Sequence, residues 1–322
     1  MKKRLEELNA IDDFMFNELT MQEDGEKSKQ FCRTILEPIL NRRIRDIEIL
    51  PQKIYQGTDT DRHGIKLDAY VRETVDADGI AVSDVKVNIA PNIFVLEPNS
   101  YMSKYNESGP LEAKRNRYYH SIIDSHVFGS GNDYSKLPNV IVIMILTHDP
   151  FGLDRMMYTI ENHCVEEPDM EYHDGAKTIY LYTRGTKEIP SQSLKNMLSF
   201  LENSSSENAT DAGLMDVKNM MDTIKQNHEI GVRYMHTIER EQAIRNEGKA
   251  EGKAEGKVEG ELATQIKYIC NQHKKEIPME DAACILDEDI ELVSEIYAIA
   301  DRYAPDYDIN SILEEYMCIA HS

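Results

Sequence analysis

Seven consecutive apolar residues, Val140 to Leu146 (VIVIMIL), constrain the fold of this chain more than any other segment. The run has the length of a strand and is rich in β-branched residues. It is bounded by Pro138 on one side and His148-Asp149-Pro150 on the other. A strand that is apolar on both faces must be covered on both faces, as in the central strands of α/β proteins. The same run is the longest apolar stretch and falls far short of a bilayer span, so the chain is expected to be soluble, with no membrane partner.

The segments around that strand supply helices and further strands. Residues 10–50 read as helical, with Ile35, Leu36, Ile39 and Leu40 at helical spacing and Arg42, Arg43 and Arg45 near the C-terminal end. IKLDAYV (65–71) and NIFVLEPN (92–99) alternate like strands, and Asp78-Gly79 between them is a hairpin signal. Residues 111–128 form an amphipathic helical pattern with a basic first half. After the HDPFG turn (148–152), residues 156–165 and 178–183 are strand-like. This order of helix, strands, helix and strands predicts an α/β fold with a mixed central sheet flanked by helices. The first domain is placed at residues 1–190.

From Ser191 onward helical patterns dominate. Residues 191–246 read as a helical extension and 262–322 as a small helical module. Between them, EGKAEGKAEGKVEGE (247–261) repeats every four residues. Glycine inside a helix costs about 1 kcal/mol relative to alanine. Glu251 also faces Glu255, and Lys249 faces Lys253, at i,i+4. The expectation is a flexible or partly helical spacer. The sharper alternative is a helix whose small residues admit a close partner helix, making a homodimer through the helical C-terminal half. Residues 277–300 have the rhythm of a helix-turn-helix. Their Asp289, Glu291 and Glu295 suit protein contact better than a DNA groove.

A hydrophobic content of 41% supports a substantial core, whereas a net charge of −22 disfavours broad, non-specific binding of phosphate backbones. The five cysteines (Cys32, Cys164, Cys270, Cys284, Cys318) lack CxxC spacing and read as reduced, buried thiols of a cytoplasmic protein. The N-terminus turns acidic where a signal peptide needs an apolar run.

Two acids on neighbouring strands make the candidate site. In 65–71, alternation turns Ile65, Leu67, Ala69 and Val71 to a core and Lys66, Asp68 and Tyr70 away from it. In 92–99, Phe94 and Leu96 share one face, Glu97 and Asn99 the other. Adjacent strands would bring Asp68 and Glu97 together at one edge of the sheet. Close carboxylates repel unless a cation or a shared proton relieves them. A divalent ion held by oxygen ligands is the usual relief. A polar group two positions on could orient water or stabilise developing charge. On the helix that follows, Lys114, Arg115 and Arg117 with Tyr118 and Tyr119 are candidates for clamping phosphate and stacking on a base. A solvated basic helix face is the plain alternative. Asp59 to Gly64 imitates the start of a calcium loop, but Tyr70 stands where that loop needs Glu. His120 and His126 lie six apart and do not pair as ligands. His148 and Asp149 read as structural.

Taken in order, DDFMFNELT, HGIKLDAYV, FVLEPN, KRNRYYHSIID, SKLPNVIVIMILTHDPFG, MMYTIENHCVEEPDM and DGAKTIYLYTRGT resemble the bacterial Rpn-type PD-(D/E)XK nucleases, described as recombination-promoting nucleases or transposases. The resemblance runs from about Asp13 to the Gly-rich repeat. It implies a restriction-endonuclease-like fold and a Mg²⁺-dependent DNA endonuclease, with Mn²⁺ as a substitute ion. By that resemblance Asp68 and Glu97 bind the metal, and Asn99 occupies the position of the motif's Lys or Gln. Asparagine there departs from the pattern, being shorter and uncharged. The alternative is a catalytically impaired nuclease fold acting as a nucleic-acid- or protein-binding module.

Overall fold

The computed structural model describes residues 3–51, 53–55, 65–75, 92–99, 111–129, 131 and 133–320. The expected hairpin turn at Asp78-Gly79 and the Asp59–Gly64 loop lie outside these residues. By its contacts the chain divides into two compact units, Met1–Tyr234 and Met235–Ser322.

The first unit opens with α1 (Asp13–Thr20) and α2 (Gly25–Leu40). Asp24 caps α2, its carboxylate accepting the Glu26 N–H at 3.1 Å, and Asn41 ends it in the left-handed conformation. Helix does not continue to residue 50. Asp46–Pro51 is a strand, β1, because Ile47 and Ile49 alternate with Asp46 and Glu48. The 65–71 segment is likewise divided. Ile65–Lys66 (β3) pairs with Ile54–Tyr55 (β2) in a small sheet, the chain bends at Leu67-Asp68, and Ala69–Val75 (β4) enters the main sheet.

Among the described residues the main sheet has six strands in the order β1-β4-β5-β6-β8-β7. Here β5 is Asn92–Asn99, β6 Asn139–Leu146, β7 Met157–Glu161 and β8 Ala176–Tyr182. The β5, β6 and β8 strands run parallel; β1, β4 and β7 are antiparallel to their neighbours. The sheet is therefore mixed, and the apolar run lies at its centre as β6, wholly buried from Val140 onward. On one face Ile93, Val95, Val140, Val142, Met144 and Tyr180 pack with Tyr119, Ile122 and Ile123 of α3 (Leu111–Val127). The alternate residues point the other way, where Phe94 and Ile141 line a cavity with Leu40 of α2. Two helices, α4 (Gln192–Glu202) and α5 (Ala212–Gln226), pack against α2 and extend the compact unit well past residue 190.

Burial corrects the facing assigned from alternation. Tyr70 is not turned to solvent but is 4% exposed, in one cluster with Tyr55, Leu67 and Val95. A strand covered on both sides has no solvent face, so its polar-looking positions become buried ones.

Residues 247–261 are helical throughout. They lie inside α6 (His228–His273), a helix of 46 residues, so the expectation of a flexible spacer is replaced by continuous helix. Propensity is a weak prior, and an i,i+4 ion pair between Lys257 and Glu261 offsets some of the like-charge repulsion along the repeat. The helix carries into the second unit, where Ile266, Ile269 and Cys270 share a core with Ala282, Val293, Ile296 and Ile312. That core is completed by α7 (Met279–Leu286), α8 (Ile290–Ala300) and α9 (Ile309–Ala320). Within residues 277–300, Ile285 and Ile290 are exposed. Cys32 and Cys270 are buried and Cys164 is partly so, but Cys284 and Cys318 are exposed.

Candidate functional site

The bend that interrupts the 65–71 strand is what forms the site. Ala69 pairs with Leu96, so the residue before Ala69 arrives beside the residue after Leu96. The Asp68 backbone N–H donates to Glu97 Oε1 at 3.0 Å. Glu97 is 6% exposed despite being ionisable. Its carboxyl is pushed up to about 8, chiefly by burial and then by the negative charge of Asp68. Asp68 is raised as well, mainly by burial, while Lys66, a hydrogen bond from Asn17 and the charge of Arg115 pull it back. Two carboxyls in one dry corner hold on to protons because the second negative charge is costly there.

Two residues outside the sequence-based site join this corner. Asp13, at the start of α1, adds a further negative charge near Glu97. Asn17, one turn later, donates to the Asp13 carbonyl at 2.8 Å, and its buried Oδ1 has no hydrogen-bond partner among the described residues. The signal that could have found them is their i,i+4 spacing on a short helix within DDFMFNELT.

Of the basic helix start, the structure brings Arg115 to the acids. Its guanidinium lies 5.7 Å from the centre of the Tyr119 ring, its Nη2 lies 3.9 Å from Met144 Sδ, and its charge acts on both carboxyls. Arg115 Nε is buried without a partner, and the arginine makes no ion pair among the described residues. Tyr119 is buried, and its hydroxyl is pushed up to about 12 by burial and then by Glu97. Lys114 and Arg117 are exposed, and Tyr118 is 39% exposed, so these three sit on the open side of α3. Asn99 ends β5 opposite Leu146; its side chain lies outside the described residues. Pro98 is buried in a strand inside the sheet. The β4 pairing stops at Leu96, so among the described residues β5 has one neighbour at that point and a missing N–H is tolerated.

Asp149 is structural. The Asp149 carboxylate accepts the N–H groups of Phe151 and Asp154 and the Tyr158 hydroxyl, at 3.0, 2.6 and 2.8 Å. Among the described residues there is no group of three or more His, Cys, Asp or Glu side chains placed to hold a metal ion. Asp68 and Glu97 alone are a pair of hard oxygen donors. That suits Mg²⁺, which binds through one or two carboxylates and completes its shell with water and phosphate.

No family model matches the chain, and neither a curated protein nor a solved structure matches it. Among the described residues no helix is long and apolar enough to cross a membrane.

Proposed function

We propose that the chain is a divalent-metal-dependent DNA endonuclease of the PD-(D/E)XK type, using Mg²⁺ or, in its place, Mn²⁺. The observation that carries this reading is the meeting of Asp68 with a buried Glu97 at the end of two paired strands. Asp68 and Glu97 would hold the cation, which when bound lowers the pKa of its water and offsets charge on the phosphate. Burial and the charge of Asp68 hold Glu97 toward its protonated form, so a bound cation would favour its ionised form. Arg115, beside the pair and without a carboxylate partner among the described residues, would present its guanidinium to the phosphate. Asn99, two residues after Glu97 on β5, would position water. Lys114, Arg117 and Tyr118 would contact the DNA farther along α3. A role in recombination or transposition follows from the same resemblance.

Plasmid nicking tests this reading. With Mg²⁺ or Mn²⁺ the wild type should convert supercoiled to open-circular DNA, and Asp68→Ala should lose at least about a hundredfold in rate, as expected when metal-ion charge stabilisation is removed. No nicking by the wild type with either ion, or equal nicking by Asp68→Ala, would overturn it. Asparagine at position 99, in place of a lysine or glutamine, favours a second reading, an impaired nuclease fold that binds without cutting. That reading predicts an inert wild type and nicking gained by Asn99→Lys. A homodimer through the helical C-terminal half belongs to the same proposal, and light scattering of the full chain should give twice the chain mass.

A further inference from the structure

A group of arginines lies toward the end of β4 that is far from the acid pair. Asp46 of β1 is paired with Val75, whereas Asp68 precedes Ala69. The two ends are therefore separated by about 20 Å of strand, at about 3.3 Å per residue. Arg33 of α2, with Arg42, Arg43 and Arg45 just before β1, lines a cavity of about 750 Å³ together with Glu37. A second cavity of about 580 Å³ shares Arg33, Arg42, Arg43 and Glu37 and reaches the first turns of α4 and α5, at Ser193 and Gly213.

The acids in this groove are already engaged. Glu37 accepts the Ile44 N–H at 2.9 Å, and Asp211 accepts the Leu214 N–H at 2.9 Å as the cap of α5. Arg42 is held by Glu73 through two hydrogen bonds of 2.6 and 2.7 Å, and Arg33 lies 3.7 Å from Asp46. Arg43 and Arg45 are exposed, and their side chains have no partner among the described residues. Arg33 also carries a buried Nε with no hydrogen-bond acceptor among the described residues. Two helix N-termini add the positive ends of their dipoles. In a chain of net charge −22, two unpaired arginines on one cavity wall are an exception to the prevailing field. At about 0.1 M salt the screening length is about 10 Å, so a ligand in the groove responds to these groups more than to distant acids.

We propose that this groove is a phosphate-binding site, separate from the acid pair, that takes ligands carrying two or more adjacent phosphates. Arg43 and Arg45 supply the charge, and the cavity beside them accepts the first phosphate against the start of α4. A free diphosphate and a nucleic-acid backbone present the same chemistry. The site is independent of the nuclease reading, since it needs neither a metal nor Asp68.

The test is binding to the full chain in metal-free, low-salt buffer, with inorganic pyrophosphate by calorimetry and a fluorescein-labelled single-stranded oligonucleotide by anisotropy. The double variant Arg43→Glu/Arg45→Glu, whose wild-type side chains make no hydrogen bond or ion pair among the described residues, should keep the wild-type circular dichroism and bind at least one probe about tenfold or more weakly. Weakening for pyrophosphate identifies a free diphosphate as sufficient; weakening for the oligonucleotide alone identifies a nucleic-acid backbone. Asp68→Ala should bind both probes as the wild type does, which separates this site from the nuclease reading. Failure of the wild type to bind either probe, or equal binding by the double variant, overturns the proposal.

Discussion

At the scale of single residues, Glu97 contributes a pH dependence whose sign follows from its burial. Its folded pKa is raised from 4.5 to about 8 by burial and by Asp68. Below pH 4.5 the group is protonated in both folded and unfolded chains and has no effect on stability. Between that pH and about 8 only the unfolded chain ionises it, so stability falls as pH rises, by about 1.4 kcal/mol per pH unit. Glu97→Gln keeps an oxygen for the Asp68 N–H but cannot ionise. Chemical denaturation should show this variant more stable than wild type at pH 8.5 and closely matched at pH 4; equal slopes of stability against pH would contradict the account. The pair of Arg42 and Glu73 makes the opposite kind of prediction. Glu73 is 2% exposed and is held by Arg42 and by Asn92 Nδ2 at 2.8 Å. Arg42→Met leaves a buried carboxylate short of its charge partner and should lower stability by about 3 kcal/mol in urea denaturation. Adding Glu73→Met should recover part of that loss, because it removes the stranded charge.

At the scale of elements, α6 shows how a local rule can be outweighed. A methyl group at Gly248, Gly252, Gly256 or Gly260 would meet nothing within 4 Å. Alanine at these positions should therefore stabilise the helix by about 1 kcal/mol each. Hydrogen exchange of the full chain should show slower exchange across 247–261 in a variant with all four changed. Unchanged or faster exchange there would mean that the glycines serve a contact. Gly175 is the contrary case. It has φ of +78°, and a Cβ there would come within 2.3 Å of Asn139 Oδ1. Gly175→Ala should disturb the start of β8 against β6 and lower the thermal midpoint by several degrees, from the combined strain and overpacking. The helix α3 and the strands β5, β6 and β8 were legible in the sequence because each is long and strongly patterned. The β1 strand was not, because six residues after a helix carry too short an alternation to stand out.

At the scale of the whole molecule, each unit has its own hydrophobic cluster, one on the sheet and one around Ile266, Val293 and Ile312. Separate cores lose two-state behaviour. Differential scanning calorimetry should resolve more than one transition; a single one with equal calorimetric and van't Hoff enthalpies would show that the units melt together. The acid pair belongs wholly to the first unit, so removing the second is not needed to test it.

The sequence alone determined the class of fold: an apolar strand needing cover on both faces, further strands, and helical patterns between and after them. It also singled out Asp68 and Glu97, because adjacent strands place such acids near one another. It could not determine how buried they are, or that Asp13, Asn17 and Arg115 share their corner while Lys114 and Arg117 do not. Nor could it show that three arginines before β1 line one groove with Arg33. Those facts depend on the packing of α1, α3 and α5 against other elements, and alternation along a strand reports which residues share a face but not what covers it. Burial decides pKa and availability, and burial is a property of the packed chain.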